Sequence, residues 1–397
     1  MKIKLTDIQN AIRQLGFDGW LMYSFRKNNP VVDRILDLPS HLVLMRRYYY
    51  YVPANGTPQK LVHSIERGSL DSVPGDKTVF SSWQELEAGL KKITGGAKRI
   101  AMEYSQECAI PYVSIVDAGT IEMVRKATGA EIVSSADLVQ IFDATWDDEQ
   151  WQMHQEAGKA LIETVHEAFA FIKDNIRAGK KLTEFDVQKF MLQCFEKRNV
   201  YSSAAPNCSV NENSGDPHYE PTETIFKEIR KDDFVLIDLW AKKKAPRSVY
   251  ADYAWVGYVG ETVPEKYEKI FQIVKGARDA AVDFLRKALK SGQPVYGWQV
   301  DDASRQYIAS KGYGEYFIHR TGHSIGEEVH GNGANMDNME TKDIRRILPR
   351  TCFSIEPGIY FYNDFGIRSE VDAYITENND VIVTGAPMQE NVVPILK

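Results

Sequence analysis

Residues 353–370 read FSIEPGIYFYNDFGIRSE, and two carboxylates, Glu356 and Glu370, lie fourteen residues apart in this otherwise apolar, strand-like stretch. Asn363 and Asp364 mark a turn halfway between them, so the stretch predicts a β-hairpin. Residues equidistant from a hairpin turn face each other with Cβ atoms roughly 5 Å apart. Two like charges at that distance repel, and an unpaired carboxylate in an apolar strand is seldom tolerated. A bound cation resolves both problems.

A second stretch repeats this pattern earlier in the chain. Residues 234–252 read FVLIDLWAKKKAPRSVYAD, with Asp238 and Asp252 again fourteen residues apart and a turn at Ala245-Pro246. Each carboxylate of this hairpin precedes its counterpart in the other hairpin by 118 residues. Two such pairs with a nearby histidine predict a site for two metal ions.

The length of the chain indicates two domains. Its 397 residues exceed one ordinary hydrophobic core, and its composition, 43% hydrophobic and 26% charged, is typical of a soluble globular protein. We predict a mixed α/β (α+β) fold with domains over residues 1–145 and 146–397. The first domain alternates helix and strand patterns and shows no catalytic constellation in its sequence.

The second domain reads as an internal duplication. In each half a long amphipathic helix, beginning at Asp148 in the first half and after Pro264 in the second, precedes a shorter helix, strand patterns and the acidic hairpin. This order predicts two copies of one helix-helix-hairpin unit, over about 148–258 and 264–376, related by a pseudo-twofold axis. Such an arrangement places one metal cluster between the two hairpins.

Charge and cysteine content narrow the partners and the compartment. The net charge of -7 gives no support for nucleic-acid binding, and no apolar run approaches a membrane span. The N-terminal stretch 1–5 is not followed by the apolar region of a signal peptide, and residues 6–9 read as a capping box that opens a helix. The cysteines are widely scattered: Cys108, Cys194, Cys208 and Cys352. We therefore predict reduced thiols in a cytoplasmic protein with no nucleic-acid or membrane partner.

Three histidines accompany the acidic hairpins. Residues 322–326 read GHSIG, in which glycines allow a close backbone approach beside His323, and His330 follows seven residues later. His218 lies in a turn-like segment before the first acidic strand. A single histidine is more often a surface or hydrogen-bonded residue, which is our interpretation of His41, His63, His154 and His166. Salt bridges across a sheet would explain one carboxylate pair, but poorly explain two in matching positions.

The motifs FSIEPGIY (353–360), GHSIG with Val329-His330, and GIRSE (366–370) resemble the signatures of the pita-bread metallopeptidases. This family includes methionine aminopeptidase, prolidase (Xaa-Pro dipeptidase) and aminopeptidase P. The resemblance covers the whole second domain, and the first domain resembles the creatinase/prolidase-like N-terminal domain of the Xaa-Pro branch. It implies a metallo-exopeptidase that cleaves short peptides before a proline at the second position, in a homodimer.

The resemblance also implies a ligand set for two divalent ions. Asp238 would bind one ion, His323 and Glu356 would hold the second, and Asp252 and Glu370 would bridge both. An oxygen-rich set with one imidazole suits Mn²⁺, with Co²⁺, Fe²⁺ or Zn²⁺ as alternatives.

Further roles follow from the same resemblance. Glu356 would take a proton from the attacking water and pass it toward the leaving nitrogen. His218 and His330 would contact the substrate and stabilise the tetrahedral intermediate. Arg368 would orient a bridging carboxylate or the substrate, whereas His319 matches a non-ligand histidine.

The sequence departs from the family pattern in several places. After Asp252, residues 253–255 read Tyr-Ala-Trp, so the hydroxyl that often supports the centre is missing. Gly331 stands where the family often carries an acidic residue. The basic run 242–244 with Arg247 lengthens the first hairpin, and we interpret it as a solvated tip; the alternative is that it reaches a substrate or subunit carboxylate.

Three functional hypotheses follow. The leading one is a two-metal exopeptidase, and the alternative is a lyase or other non-peptidase enzyme that uses the same fold and metal site. The third is a binding module that has lost catalysis. Intact candidate ligands at all five positions disfavour the third hypothesis, and for the same reason they disfavour creatinase, which shares the fold without metal.

Overall fold

The computed structural model describes residues 4–397, and the chain divides into two compact units, Met1–Asp143 and Ala144–Lys397. Both units combine helices and strands, which confirms the predicted mixed α/β class. Among the described residues, no helix is both long and apolar enough to cross a membrane.

The first unit is built on a six-stranded sheet. Its strands are β1 (Gly19–Ser24), β2 (Tyr48–Pro53), β3 (Gln59–His63), β4 (Asp76–Phe80), β5 (Arg99–Met102) and β6 (Glu131–Ser134). They lie in the order β4-β3-β2-β1-β5-β6. The helices are α1 (Leu5–Gln14), α2 (Pro30–Ile35), α3 (Trp83–Thr94), α4 (Ala118–Thr128) and α5 (Ala136–Val139). Both faces of the sheet are covered, since Trp20 and Met22 of β1 join one hydrophobic cluster and Leu21 and Tyr23 join another.

The predicted capping box at residues 6–9 is wrong. Helix α1 begins at Leu5, so Thr6 lies inside it, and the N-cap residue Lys4 has no side-chain cap in the described chain. The Gln9 side chain instead donates to the carbonyl oxygens of Pro53 (3.1 Å) and Gly56 (2.8 Å), so a tertiary contact has replaced the local one. The expectation about the extreme N-terminus rests on residues 1–3, which lie outside the described residues.

The second unit contains the predicted helix-helix-hairpin order twice. Its first half comprises α6 (Asp148–Arg177), α7 (Glu184–Lys197), β7 (Val200–Tyr201), β8 (Asn207–Val210), β9 (Phe234–Lys243) and β10 (Ala251–Tyr258). Its second half comprises α8 (Glu265–Lys290), α9 (Gly297–Ser310), β11 (Ser324–Ile325), β12 (Cys352–Ile355), β13 (Gly358–Phe361), β14 (Phe365–Arg368), β15 (Val371–Ile375), β16 (Val381–Thr384) and β17 (Val393–Pro394). The sheets run β17-β10-β9-β7 with β8 on β9, β11-β12-β15-β16, and β13-β14.

The first acidic hairpin has a register that differs from the expected one. Asp238 pairs with Ala254, and Asp252 pairs with Trp240, so the predicted direct pairing of the two aspartates is wrong by two residues. The ladder is centred on Pro246, and the connection between the strands includes Arg247 in a left-handed conformation, with φ of 60°. Side chains alternate between faces with a period of two, so this shift leaves both carboxylates on the same face.

The second acidic hairpin keeps the expected register but is not one continuous ladder. Ile355 pairs with Val371 in one sheet, and Gly358 pairs with Arg368 in another, with both ladders centred on the same turn. Glu356 and Glu370 lie at equivalent positions in the gap between these ladders. Residue 357 is a proline and has no N–H to donate, which is one reason why the ladder breaks there. The two carboxylates therefore emerge where the strands separate.

Candidate metal centre

The sequence-predicted site residues of the second unit come together around one cavity of about 480 Å³. They are His218, Asp238, Asp252, His323, His330, Glu356, Arg368 and Glu370. Strands position most of them: the aspartates belong to β9 and β10, and the glutamates flank β12 and β15. Asp252, His323 and Glu370 are each 5% exposed or less, so three ionisable groups share a nearly dry environment.

The segment before His323 needs a glycine. A Cβ on Gly322 would lie 1.9 Å from the carbonyl oxygen of Ser354, so only glycine permits this approach of the two strands. At Gly326 the nearest atoms to such a Cβ lie 3.9 Å and 4.0 Å away, so no comparable crowding exists there. Ser354 in turn connects two site residues, because its Oγ accepts from the His323 N–H and donates to Glu356 Oε1, each at 3.0 Å.

The geometry around His323 fits a cation. Its Nδ1 lies 3.2 Å from the Ser324 carbonyl oxygen, which can only accept, so the proton belongs on Nδ1 and Nε2 is free to bind. Nε2 lies 3.4 Å from Glu356 Oε1 and 3.7 Å from Asp252 Oδ2. Atoms of Asp252, His323 and Glu370 that can bind metal all lie within 4.8 Å of one another. The lone pair of His323 Nε2 faces carboxylate oxygens at these distances, and a cation between them would stabilise this arrangement.

Unpartnered carboxylate oxygens support the same conclusion. Asp238 Oδ1, Asp252 Oδ1 and Glu370 Oε1 are buried, and none has a hydrogen-bond partner in residues 4–397. Burial and then the charge of Asp238 raise the pKa of Asp252 well above its usual range, and burial and Asp252 do the same to Glu370. Buried carboxylates without donors are costly unless a metal ion binds them, so the residues present fit divalent cations.

Arg368 contacts Asp238 rather than either carboxylate expected to bridge. One of its terminal nitrogens bonds the Asp238 carboxylate, and the other donates to the Tyr360 hydroxyl at 3.0 Å. The Tyr360 hydroxyl also lies 2.9 Å from His319 Nε2, and His319 Nδ1 lies 2.7 Å from the Arg320 carbonyl oxygen. Both ring nitrogens of His319 therefore already have hydrogen-bond partners.

The basic run forms an exposed hairpin tip, as expected: residues 244–246 are exposed to solvent. Lys243 lies 3.0 Å from Glu156 and Arg247 lies 2.6 Å from Asp147, while Lys244 bonds Glu196. These ion pairs connect the exposed tip to α6, to its N-cap residue Asp147 and to α7 of the same unit.

His218 and His330 face the cavity from two loops. The His330 ring centre lies 4.2 Å from that of His323, at an interplanar angle of 56°. The neighbouring His323 ring, together with burial, lowers the pKa of His330 to about 3, which favours its neutral form.

The sequence alone did not single out Glu184, which organises the loop that carries His218. This carboxylate is 0% exposed, at the first position of α7. It accepts from the Val210 N–H at 2.7 Å, the Lys227 N–H at 2.6 Å and the Tyr219 hydroxyl at 2.5 Å, and from the Asn213 side chain. One buried acid thus gathers both ends of the segment around His218. In the sequence, Glu184 follows Thr183, the N-cap residue of α7, and an acidic residue at that position does not indicate this role.

We predict that Glu184→Gln weakens peptide binding without removing metal. The amide nitrogen would face N–H and O–H donors, which costs about 1–3 kcal/mol of stability and loosens the loop. We expect KM for a cleaved peptide to rise roughly tenfold, about 1.4 kcal/mol, at unchanged metal content.

The matched control for this prediction is Glu103→Gln in the first unit. Glu103 is also 0% exposed, and it accepts from Trp20, Asn29 and Ser135. It should lose comparable stability with an unchanged KM. Equal KM values for both variants and the wild type would contradict the role given to Glu184.

Comparison with known proteins identifies the family. Residues 152–377, more than half of the chain, match the metallopeptidase family M24. This chain belongs to that family. The chain is 26% identical over 307 residues to the putative dipeptidase YkvY of Bacillus subtilis, covering 77% of this chain and 76% of that protein. It is 28% identical over 228 residues to a Xaa-Pro dipeptidase of Lactobacillus helveticus, covering 57% of each.

Solved structures agree with the sequence comparison at the level of the fold. The dipeptidase PepE of Mycobacterium ulcerans superposes with a TM-score of 0.75 at 21% identity, covering 98% of this chain and 96% of that one. The resemblance to the pita-bread metallopeptidases and the two-domain fold class are thereby confirmed. Membership of this family makes the chain a metal-dependent peptidase.

Proposed function

We propose that this chain is a dinuclear metallo-exopeptidase that hydrolyses the bond after the N-terminal residue of short peptides with proline second. One observation carries the proposal: four carboxylates and an imidazole border one cavity, with buried carboxylate oxygens that lack partners among the described residues. A lyase or other non-peptidase reaction at the same site is the alternative, and membership of a peptidase family disfavours it.

The metal ligands in this proposal are Asp238, Asp252, His323, Glu356 and Glu370. Their oxygen-rich chemistry favours Mn²⁺, with Co²⁺, Fe²⁺ and Zn²⁺ as alternatives. When bound, two divalent ions supply Lewis-acid polarisation of the scissile carbonyl and lower the pKa of water.

The remaining steps belong to side chains of the cavity. Glu356 Oε1 accepts a hydrogen bond from Ser354 Oγ. In this proposal Glu356 takes the proton of the attacking water and delivers it to the leaving nitrogen. His218 and His330 donate hydrogen bonds to the carbonyl oxygen as negative charge develops there. Arg368 keeps Asp238 oriented through their ion pair.

Preference for proline follows from the relatives and from the chemistry of the bond. A Xaa-Pro bond is a tertiary amide without an N–H, which peptidases that bind the substrate backbone handle poorly. A cavity of about 480 Å³ is of the size that holds a small molecule or short peptide. The Lactobacillus helveticus relative is named a Xaa-Pro dipeptidase, which supports the same substrate class.

We also propose that the first unit is the creatinase/prolidase-like domain and that the protein is a homodimer. Analytical ultracentrifugation would test the oligomeric state.

The substrate assay tests this proposal. Purified, Mn²⁺-loaded protein is expected to cleave Leu-Pro or Leu-Pro-Gly at least roughly tenfold faster than Leu-Gly and Leu-Gly-Gly, a difference of about 1.4 kcal/mol between transition states. The rates for Leu-Pro and Leu-Pro-Gly also show whether the enzyme prefers dipeptides or longer peptides. Cleavage of Leu-Gly alone would contradict the proline preference, and no cleavage of any peptide would favour the non-peptidase alternative.

A further inference from the structure

A fifth acidic residue lies beside the candidate ligands. Asp372 belongs to β15, two positions after Glu370, and its side chain is 0% exposed. Its Oδ2 accepts the backbone N–H of Asp252 at 3.0 Å. Its Oδ1 has no hydrogen-bond partner within the described part of the chain. The buried Asp372 side chain therefore contacts the main chain of a candidate ligand directly.

The neighbouring His154 does not neutralise Asp372. His154 Nε2 lies 3.9 Å from Asp372 Oδ2, but both ring nitrogens already have partners. Nδ1 lies 2.7 Å from the Tyr250 carbonyl oxygen and so carries a proton, while Nε2 lies 2.9 Å from Thr384 Oγ1. The Thr384 hydroxyl accepts from the Tyr253 hydroxyl at 3.1 Å, so its own proton is directed to Nε2. The network is complete with a neutral imidazole.

We propose that Asp372 is a positioning residue of the metal centre, which holds the backbone of Asp252 in place by accepting its N–H. The inference rests on the metal centre of the proposed function, but not on the identity of the peptide. Asp252 lies in β10 and Asp372 in β15, so this contact joins the two halves of the duplication.

Direct measurement of metal affinity tests the inference. Metal-free wild type, Asp372→Ala and Asp372→Asn are titrated with Mn²⁺ by calorimetry, and their melting temperatures are measured without metal. Asp372→Ala removes the acceptor of the Asp252 N–H, so we expect the Kd for Mn²⁺ to rise at least roughly tenfold. Asparagine keeps an acceptor of the same size, so Asp372→Asn should keep a Kd within about threefold of the wild type and should melt higher than Asp372→Ala.

Asp337→Asn is the matched control. Asp337 is also 0% exposed, but its carboxylate accepts from the backbone of Met339, Glu340 and Thr341. It should lose thermal stability and keep the wild-type Kd. A Kd of Asp372→Ala within twofold of wild type overturns the inference, and so does a Kd of Asp372→Asn that rises as much as that of Asp372→Ala, since the asparagine retains the backbone contact. Wild type that binds no Mn²⁺ overturns both the inference and the proposed centre, whereas normal binding without Xaa-Pro cleavage overturns only the proposed substrate.

Discussion

Asp252→Ala combined with Glu370→Ala is expected to empty the metal site and to lower kcat/KM for a cleaved peptide by roughly a thousandfold or more. Both carboxylates are buried and each has an oxygen without a partner in residues 4–397, so their main stabilising interaction is expected to be with cations. Loss of both proposed ligands would remove the several kcal/mol by which bound metal ions stabilise the transition state, and each tenfold of rate is about 1.36 kcal/mol. Metal content by mass spectrometry and steady-state kinetics measure the two effects.

Stability without metal distinguishes this result from simple unfolding. Burial raises the pKa of Asp252 and of Glu370 well above the usual range, so neither group gives the metal-free protein a favourable charge interaction, and the metal-free double variant should melt near the metal-free wild type. Added Mn²⁺ should raise the melting temperature of the wild type and not that of the variant. Two ions still bound to the double variant would contradict the ligand assignment.

His330→Ala is expected to lower turnover of a Xaa-Pro peptide by roughly a hundredfold or more, while metal content stays near that of the wild type. This is the scale of losing one hydrogen-bond donor to the developing oxyanion. His330 lies in the cavity wall beside His323 but is not among the proposed ligands. The expected loss therefore falls on kcat more than on metal binding.

His166→Ala serves as the control for this substitution. His166 is an exposed residue of α6 that contacts the edge of Trp255, with ring centres 5.2 Å apart. It should leave kcat unchanged. Full activity of His330→Ala would remove His330 from the proposed mechanism, and loss of metal from that variant would make it a ligand instead.

Several features of this protein could be predicted from its sequence, because they depend on residue type and spacing. Carboxylates are rare in apolar strands, so the equal spacing of Asp238 to Asp252 and of Glu356 to Glu370 indicated a common site. The family motifs indicated the fold class, which the comparisons confirm. Side-chain alternation has a period of two, so the shared face of Asp238 and Asp252 was predicted correctly although the register of their hairpin was wrong by two residues. The roles of the individual ligands stay predictions.

Only the tertiary structure determined how the site is supported. The bond between the Asp252 N–H and Asp372 joins residues 120 positions apart, and Glu184 gathers loop residues that lie 26 to 43 positions after it. Local sequence patterns do not reveal such partners, because the sequence does not distinguish a buried carboxylate from an exposed one. At the N-terminus, Gln9 bonds carbonyl groups 44 and 47 residues away instead of capping α1. The sequence thus determined which chemical groups are present. Long-range packing determined which of these groups are buried and which carboxylate oxygens have no protein donor and so can bind a metal ion.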